Sequence, residues 1–174
     1  MNTEEIFKIL KTEFENEILE LQTLPVEPII IVDPKAICKI GLFLRDTTGL
    51  EFDSLMCLSG VDDANGEKKL AADGSTVISS GTLSVVYHLH SININHKMTL
   101  KVSTSRELPE VESVESVWKC ADWHEREAFD MFGIVFLHHP NLIRILMPYD
   151  WEAGYPLRKD YKNPEFYQGM KVPY

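Results

Sequence analysis

Ile6, Phe7, Leu10, Phe14, Ile18 and Leu21 recur at helical spacing, with Glu and Lys on the intervening positions. That period predicts an amphipathic helix from Thr3 to Leu21. A short β-branched run follows Pro28 and predicts a strand over 27–32. Asp33 as N-cap and Pro34 at the first helical position then predict a second helix through Ile37, Ile40 and Leu44.

Residues 50–61 have the apolar content of a strand, whereas 62–81 hold enough Gly, Asp, Asn and Ser to predict a loop. The clearest alternation comes next. Leu83, Val85, Tyr87 and Leu89, then Met98, Leu100 and Val102, alternate with Ser84, His88, His90, Lys97, Thr99 and Lys101. With a turn at Asn93–His96, this predicts a half-buried antiparallel hairpin. A third helix is expected over 116–132 and a short strand over 134–136. From Leu137 onward the period is lost and prolines accumulate, predicting extended segments and turns. The expected fold class is α+β: a mixed β-sheet with helices packed on one face, followed by an extended Pro- and aromatic-rich C-terminal tail. The expected division is a globular domain over 1–137 and an extended C-terminal segment over 138–174.

The third helix carries an anomaly. With Val117 at zero and about 100° per residue, Ala128, Ala121, Phe132, Trp118 and Phe129 span roughly 20° to 120°, and Glu125 falls inside that apolar arc. A carboxylate on a buried face must be neutralised or paired. Arg144 is the first expected partner and Arg158 the second. Lys119, Arg126 and Asp130 lie on the opposite side, and Asp122, Arg126 and Asp130 are spaced for i,i+4 pairing along an exposed or partner-facing edge. A general acid/base role is the sharper reading of Glu125, but no second catalytic group accompanies it.

The net charge of −10 and pI near 5.0 argue against phosphate-based nucleic-acid binding. Cys38, Cys57 and Cys120 are too widely spaced for a disulfide framework or a C-x-x-C metal motif, so reduced, packed thiols and no iron–sulfur centre are expected. The first residues, MNTEEIFKILKTEFENEILEL, lack the apolar stretch of a signal peptide, and no uninterrupted apolar run approaches the ~20 residues of a membrane helix.

Among the six histidines, His88 and His90 are two apart on a strand, a spacing that can chelate a metal for a metal-dependent enzyme. No third ligand is near in sequence, and a solvated or partner-facing strand surface is the plainer explanation. His124-Glu125 begins the H-E-x-x-H zinc motif, but Ala128 replaces its second histidine. Nucleotide-binding glycine loops and a G-x-S-x-G elbow are missing.

The tail holds Tyr149, Trp151, Tyr155, Tyr161, Phe166, Tyr167 and Tyr174, whereas disordered tails are aromatic-poor. It is expected to lie along a surface, its own domain's or a partner's.

The string Glu125-Arg126-Glu127-Ala128-Phe129-Asp130-Met131-Phe132-Gly133-Ile134 is followed by His139-Pro140-Asn141-Leu142-Ile143-Arg144-Ile145-Leu146, Asp150-Trp151 and Pro156-Leu157-Arg158-Lys159-Asp160-Tyr161. These residues closely resemble the C-subunit family of NADH-quinone oxidoreductase, respiratory complex I, the bacterial relatives of the mitochondrial 30 kDa subunit. The match is dense over Glu125–Tyr161 and looser upstream, where Val85–Leu89 resembles the family's hairpin. Ile143 and Asn141 depart from it, standing where a basic residue or proline and an Asp are usual.

The resemblance implies a non-catalytic structural subunit of the peripheral arm, on the cytoplasmic side of the cell inner membrane. Its implied partners are the D (quinone-site) subunit and the iron–sulfur subunits. No cofactor is expected in this chain; FMN, iron–sulfur clusters and quinone would sit in other subunits, and the isolated chain would have no activity. An equivalent subunit of a membrane-bound hydrogenase, or of a complex I-like enzyme with a donor other than NADH, fits the same motifs.

Overall fold

The computed structural model describes residues 2–25, 27–70 and 76–172. Leu83, Val85, Tyr87 and Leu89 are fully buried along one face of β6 (Thr82–Ser91), which pairs antiparallel with β7 (His96–Ser105). The alternation expected of the hairpin is therefore present, because one face of this sheet meets the core and the other does not. Five strands form the main sheet in the order β1-β2-β7-β6-β3, with β1 at Ile18–Gln22, β2 at Ile29–Val32 and β3 at Ser54–Asp62. β2 runs parallel to β7 and the remaining pairs are antiparallel, so the sheet is mixed.

Among the described residues three α-helices complete the α+β fold: α1 (Thr3–Phe14), α2 (Ile37–Asp46) and α3 (Ala121–Phe132). Ile6 and Leu10 of α1, Ile37, Ile40 and Leu44 of α2, and Ala121 and Ala128 of α3 join the sheet's buried residues in one core.

Several boundaries differ from expectation for identifiable reasons. The first helix stops at Phe14, where Glu15 takes φ +30° and a 3₁₀ turn over Glu15–Glu17 follows. Ile18–Gln22 forms a strand instead, since pairing with β2 satisfies its backbone and buries Ile18 completely. Asp33 caps only a turn, its Oδ1 accepting the Lys35 N–H at 2.7 Å, and α2 begins later, at Ile37.

The segment expected as loop over 62–81 carries an antiparallel ribbon of β4 (Glu67–Leu70) and β5 (Thr76–Ser79), while 71–75 lie outside the described residues. Its Gly- and Asp-rich composition masks two short runs that pair with each other. β8 (Glu110–Glu112), not expected at all, runs parallel to β9 (Val135–Leu137). The third helix starts at Ala121 rather than 116, because the Val117 and Trp118 N–H groups both turn back to the Val114 carbonyl.

After β9 the described chain has no α-helix and proceeds through turns to a small hairpin of β10 (Phe166–Tyr167) and β11 (Met170–Lys171). Trp151 packs on Tyr167 with ring centroids 5.5 Å apart, and Asp150 accepts hydrogen bonds from the Tyr167 hydroxyl and the Gln168 amide. The two motif residues thus seat the hairpin.

Candidate interaction site built on helix α3 and the segment that crosses it

α3 lies close against β3, where a Cβ at Gly60 would come within 2.7 Å of the Phe132 ring. The helix ends at Gly133, whose φ of +73° gives a left-handed cap and lets its N–H reach the Phe129 carbonyl at 2.8 Å. The Tyr155 ring covers this glycine so closely that a Cβ there would clash with it.

Glu125 is fully buried, as its place on the apolar arc required. Its partners differ from those expected. Oε1 accepts the Val114 N–H at 2.7 Å and Oε2 accepts the Ser113 hydroxyl at 2.6 Å. His139, its side chain also fully buried, brings Nε2 to 3.8 Å from Oε2. The Asn141 N–H donates to His139 Nδ1 at 3.0 Å, which leaves Nε2 as the protonated nitrogen of the neutral ring, facing the Asp122 carbonyl at 3.3 Å and carboxylate at 3.2 Å. Burial raises the Glu125 pKa to about 7, against the opposing pull of the Ser113 and Val114 hydrogen bonds.

Arg144 binds Asp130 instead of Glu125. Its Nη1 lies 2.7 Å from Asp130 Oδ1, while Oδ2 accepts three successive backbone N–H groups: Ile145 at 3.0 Å, Leu146 at 2.7 Å and Met147 at 2.9 Å. Asp130 is therefore fully buried, not part of an exposed edge. The pattern along α3 misplaces it because the chain that covers it returns from beyond the helix. Burial pushes the Asp130 pKa up, but these donors outweigh it and hold the carboxylate below its usual range.

Arg126 is buried as well, with Nε donating to the Ile143 carbonyl at 3.3 Å and the guanidinium 4.7 Å from the exposed Trp123 ring. The expected Asp122–Arg126–Asp130 ladder does not form: Arg144 takes Asp130, and Asp122, whose buried Oδ1 has no hydrogen-bond partner, lies 3.2 Å from His139 and makes no ion pair with Arg126. Glu127 stays exposed and, with His124, Phe132 and Leu157, borders a shallow cleft between α3 and β3.

Further on, the Leu157 N–H reaches the Met131 carbonyl at 3.1 Å, and Arg158 Nε donates to the Phe132 carbonyl at 2.7 Å while stacking on Tyr155. The Lys159 N–H donates to Asp62 Oδ2 at 2.9 Å. Arg106, which no sequence signal marks, bridges buried Asp62 at 2.7 Å and Asp160. Asp160 also accepts the Ile78 N–H, and Tyr161 closes a turn onto the Arg158 carbonyl at 3.1 Å. Pro140 and Pro156 stand at the turns where this segment changes direction. The segment 139–161 is thus strapped across α3 and the end of β3.

His88 and His90 do not converge: His88 Nδ1 pairs with the Thr99 hydroxyl at 3.1 Å and His90 Nε2 with Asn95 at 3.3 Å. Among the described residues no group of three or more His, Cys, Asp or Glu is placed to hold a metal, and no helix is long and apolar enough to cross a membrane.

Fold and site together define an α+β domain whose C-terminal strap is locked to its last helix by buried carboxylates. Residues 30–167 match the family described as respiratory-chain NADH dehydrogenase, 30 kDa subunit, and the chain belongs to that family. The C subunit of the NADH-quinone oxidoreductase of Chloroherpeton thalassium is 43% identical over 170 residues, 97% of this chain and 64% of the relative. Its counterpart in Chlorobium phaeobacteroides is 48% identical over 136 residues, 78% of this chain and 73% of the relative. The chain therefore spans roughly two thirds to three quarters of the length of these relatives. The fold is shared with the trypsin-resistant fragment (1-134) of Nqo5, at TM-score 0.62 and 20% identity, over 82% of this chain and 100% of that one. It is shared also with a chain of the membrane-bound sulfane sulfur reductase, an archaeal respiratory membrane complex, at TM-score 0.60 and 18% identity, over 91% and 85%.

Proposed function

We propose that this chain is a non-catalytic structural subunit of the peripheral arm of a proton-translocating NADH-quinone oxidoreductase, supporting electron transfer from NADH to quinone without taking part in it. The observation that carries this reading is the burial of the motif's ionisable groups against one another. Glu125 and His139 are the pair best suited to proton chemistry, and both side chains are completely covered, leaving no room for a substrate beside them. Asp130, Asp62 and Arg106 hold backbone or each other. FMN, iron–sulfur clusters and quinone belong, in this reading, to other subunits, and the chain lies on the cytoplasmic side of the inner membrane, held there through the complex.

The segment 138–174 is the part that meets other subunits, while within it residues 139–161 hold α3. Exposed Tyr149, Leu157, Phe166 and Met170 along it favour a protein partner, with the quinone-site D subunit and the iron–sulfur subunits as the candidates. The test is a pull-down of the full chain from native membranes, with and without residues 150–174. The quinone-site subunit should accompany the full chain and be lost on truncation. Undiminished recovery after truncation would refute the role of the segment.

A second reading is an equivalent subunit of a membrane-bound hydrogenase or a complex I-like enzyme with another electron donor. The fold shared with the sulfane sulfur reductase favours it. The subunits recovered in the same pull-down separate the two readings, since an NADH-oxidising module accompanies the chain only in the first.

A further inference from the structure

Arg126 is the one arginine or lysine of α3, and its helical position offers it two acids: Asp122 four residues before and Asp130 four residues after. Neither serves it. Asp122 faces His139, and Asp130 is saturated by Arg144 and three backbone N–H groups. Among the described residues, Arg126 makes one hydrogen bond, from Nε to the Ile143 carbonyl, and no ion pair. Only 8% of the residue remains exposed. Its Nη1 and Nη2 have no partner among the described residues yet keep some contact with solvent, so the free edge of the guanidinium lies at the surface, and a partner that covers it must bring an anion, because a buried charge without one is strongly unfavourable.

The surroundings indicate which kind of anion. Trp123 stacks on the guanidinium yet is 62% exposed, Ile143 is 52% exposed, and Leu146, one turn along beside Asp130, is 57% exposed. An aromatic, an arginine and aliphatic neighbours in one patch make the composition of a protein–protein hot spot rather than of a free-ion site. The chain itself carries a net charge of −10, so a second copy would bring mainly repulsion apart from such a local match.

We infer that Trp123 and Arg126 form the anchor of a docking surface that takes a carboxylate of another polypeptide, flanked by apolar side chains, with Ile143 and Leu146 closing around it. This rests on the reading of the chain as a subunit and adds to it the residues and the chemistry of one contact. The planar guanidinium, pre-oriented by the Trp123 ring, favours a two-point hydrogen bond to an Asp or Glu.

The test places the photo-crosslinking residue p-benzoylphenylalanine at position 123 of the full chain in its native host and irradiates the membranes. One other subunit should be captured, through a peptide with an Asp or Glu beside apolar residues. Adding Arg126→Gln, which keeps much of the side chain's packing, should lower that yield about tenfold or more. Reversing both charges, Arg126→Glu with the captured acid changed to Arg, should restore it. Recovery of the chain with its complex but with no crosslink, a crosslink only to itself, or a yield indifferent to Arg126→Gln would overturn the docking site and leave the subunit reading standing. A chain that enters no complex would overturn both.

Discussion

Asp130 and Arg144 meet with Oδ1 and Nη1 2.7 Å apart, and this contact fastens the C-terminal segment to the last helix. The second oxygen of the same carboxylate gathers three consecutive backbone N–H groups, so one side chain organises four donors. Asp130→Ala leaves Arg144 and those N–H groups without an acceptor. A loss of about 3–5 kcal/mol is expected. Denaturant unfolding measures it, and limited proteolysis should cut the variant within 139–150 well before wild type.

Because the Asp130 carboxylate is held below its usual range, its contribution is present above the unfolded carboxylate pKa near 4. It is lost as pH falls through the lower, folded value. Wild type should therefore weaken on acidification below pH 4 more than Asp130→Ala, as equilibrium unfolding at a series of pH values would show.

Glu125 behaves in the opposite sense. Its pKa rises from 4.5 to about 7 in the fold, so between those values the folded state holds the extra proton and stability falls as pH rises. The decline should total up to about 3 kcal/mol and level off above pH 7. Glu125→Gln keeps the shape and removes the charge; it should flatten this part of the profile and be the more stable protein at pH 8.

Gly133→Ala meets two penalties, the φ of +73° and the Tyr155 ring. A cost of about 2 kcal/mol or more is expected from thermal or denaturant unfolding. Gly133→Asn distinguishes them. Asn tolerates the left-handed conformation but still strikes Tyr155, so it should be no better than Ala unless the ring contact is irrelevant.

Arg106→Gln leaves Asp62 and Asp160 without their shared cation. Destabilisation of about 3 kcal/mol or more is expected in denaturant unfolding, with the 156–161 stretch exchanging amide hydrogens faster than in wild type. Asp62→Asn with Arg106→Gln should cost less than the sum of the two single changes, because the residues share one interaction.

What could be read along the chain was whatever depends on near neighbours. The β6–β7 alternation, the burial of Glu125 and the α+β class all follow from local periodicity. Ile18-Leu19-Glu20-Leu21 fits a helical arc and a strand equally, and only pairing with β2 decides between them. Asp130 sits on the polar side of α3, and nothing local announces that residues 144–147 will fold over it. Ser113 and Arg106 complete the frame from separate loops, without a motif to mark either residue. The Glu125–Tyr161 string marks out helix and strap; their wiring depends on contacts between residues far apart in sequence.

Glu125 is the group whose raised pKa most invites a catalytic assignment, and it gives the most direct test of a structural role. The measurement is NADH-quinone oxidoreductase turnover per assembled complex for Glu125→Gln, with assembly quantified separately. A structural role predicts unchanged turnover per complex, whatever happens to the amount assembled. A normal amount of complex with turnover lost would show that the Glu125 proton takes part in the reaction, and would contradict a structural role.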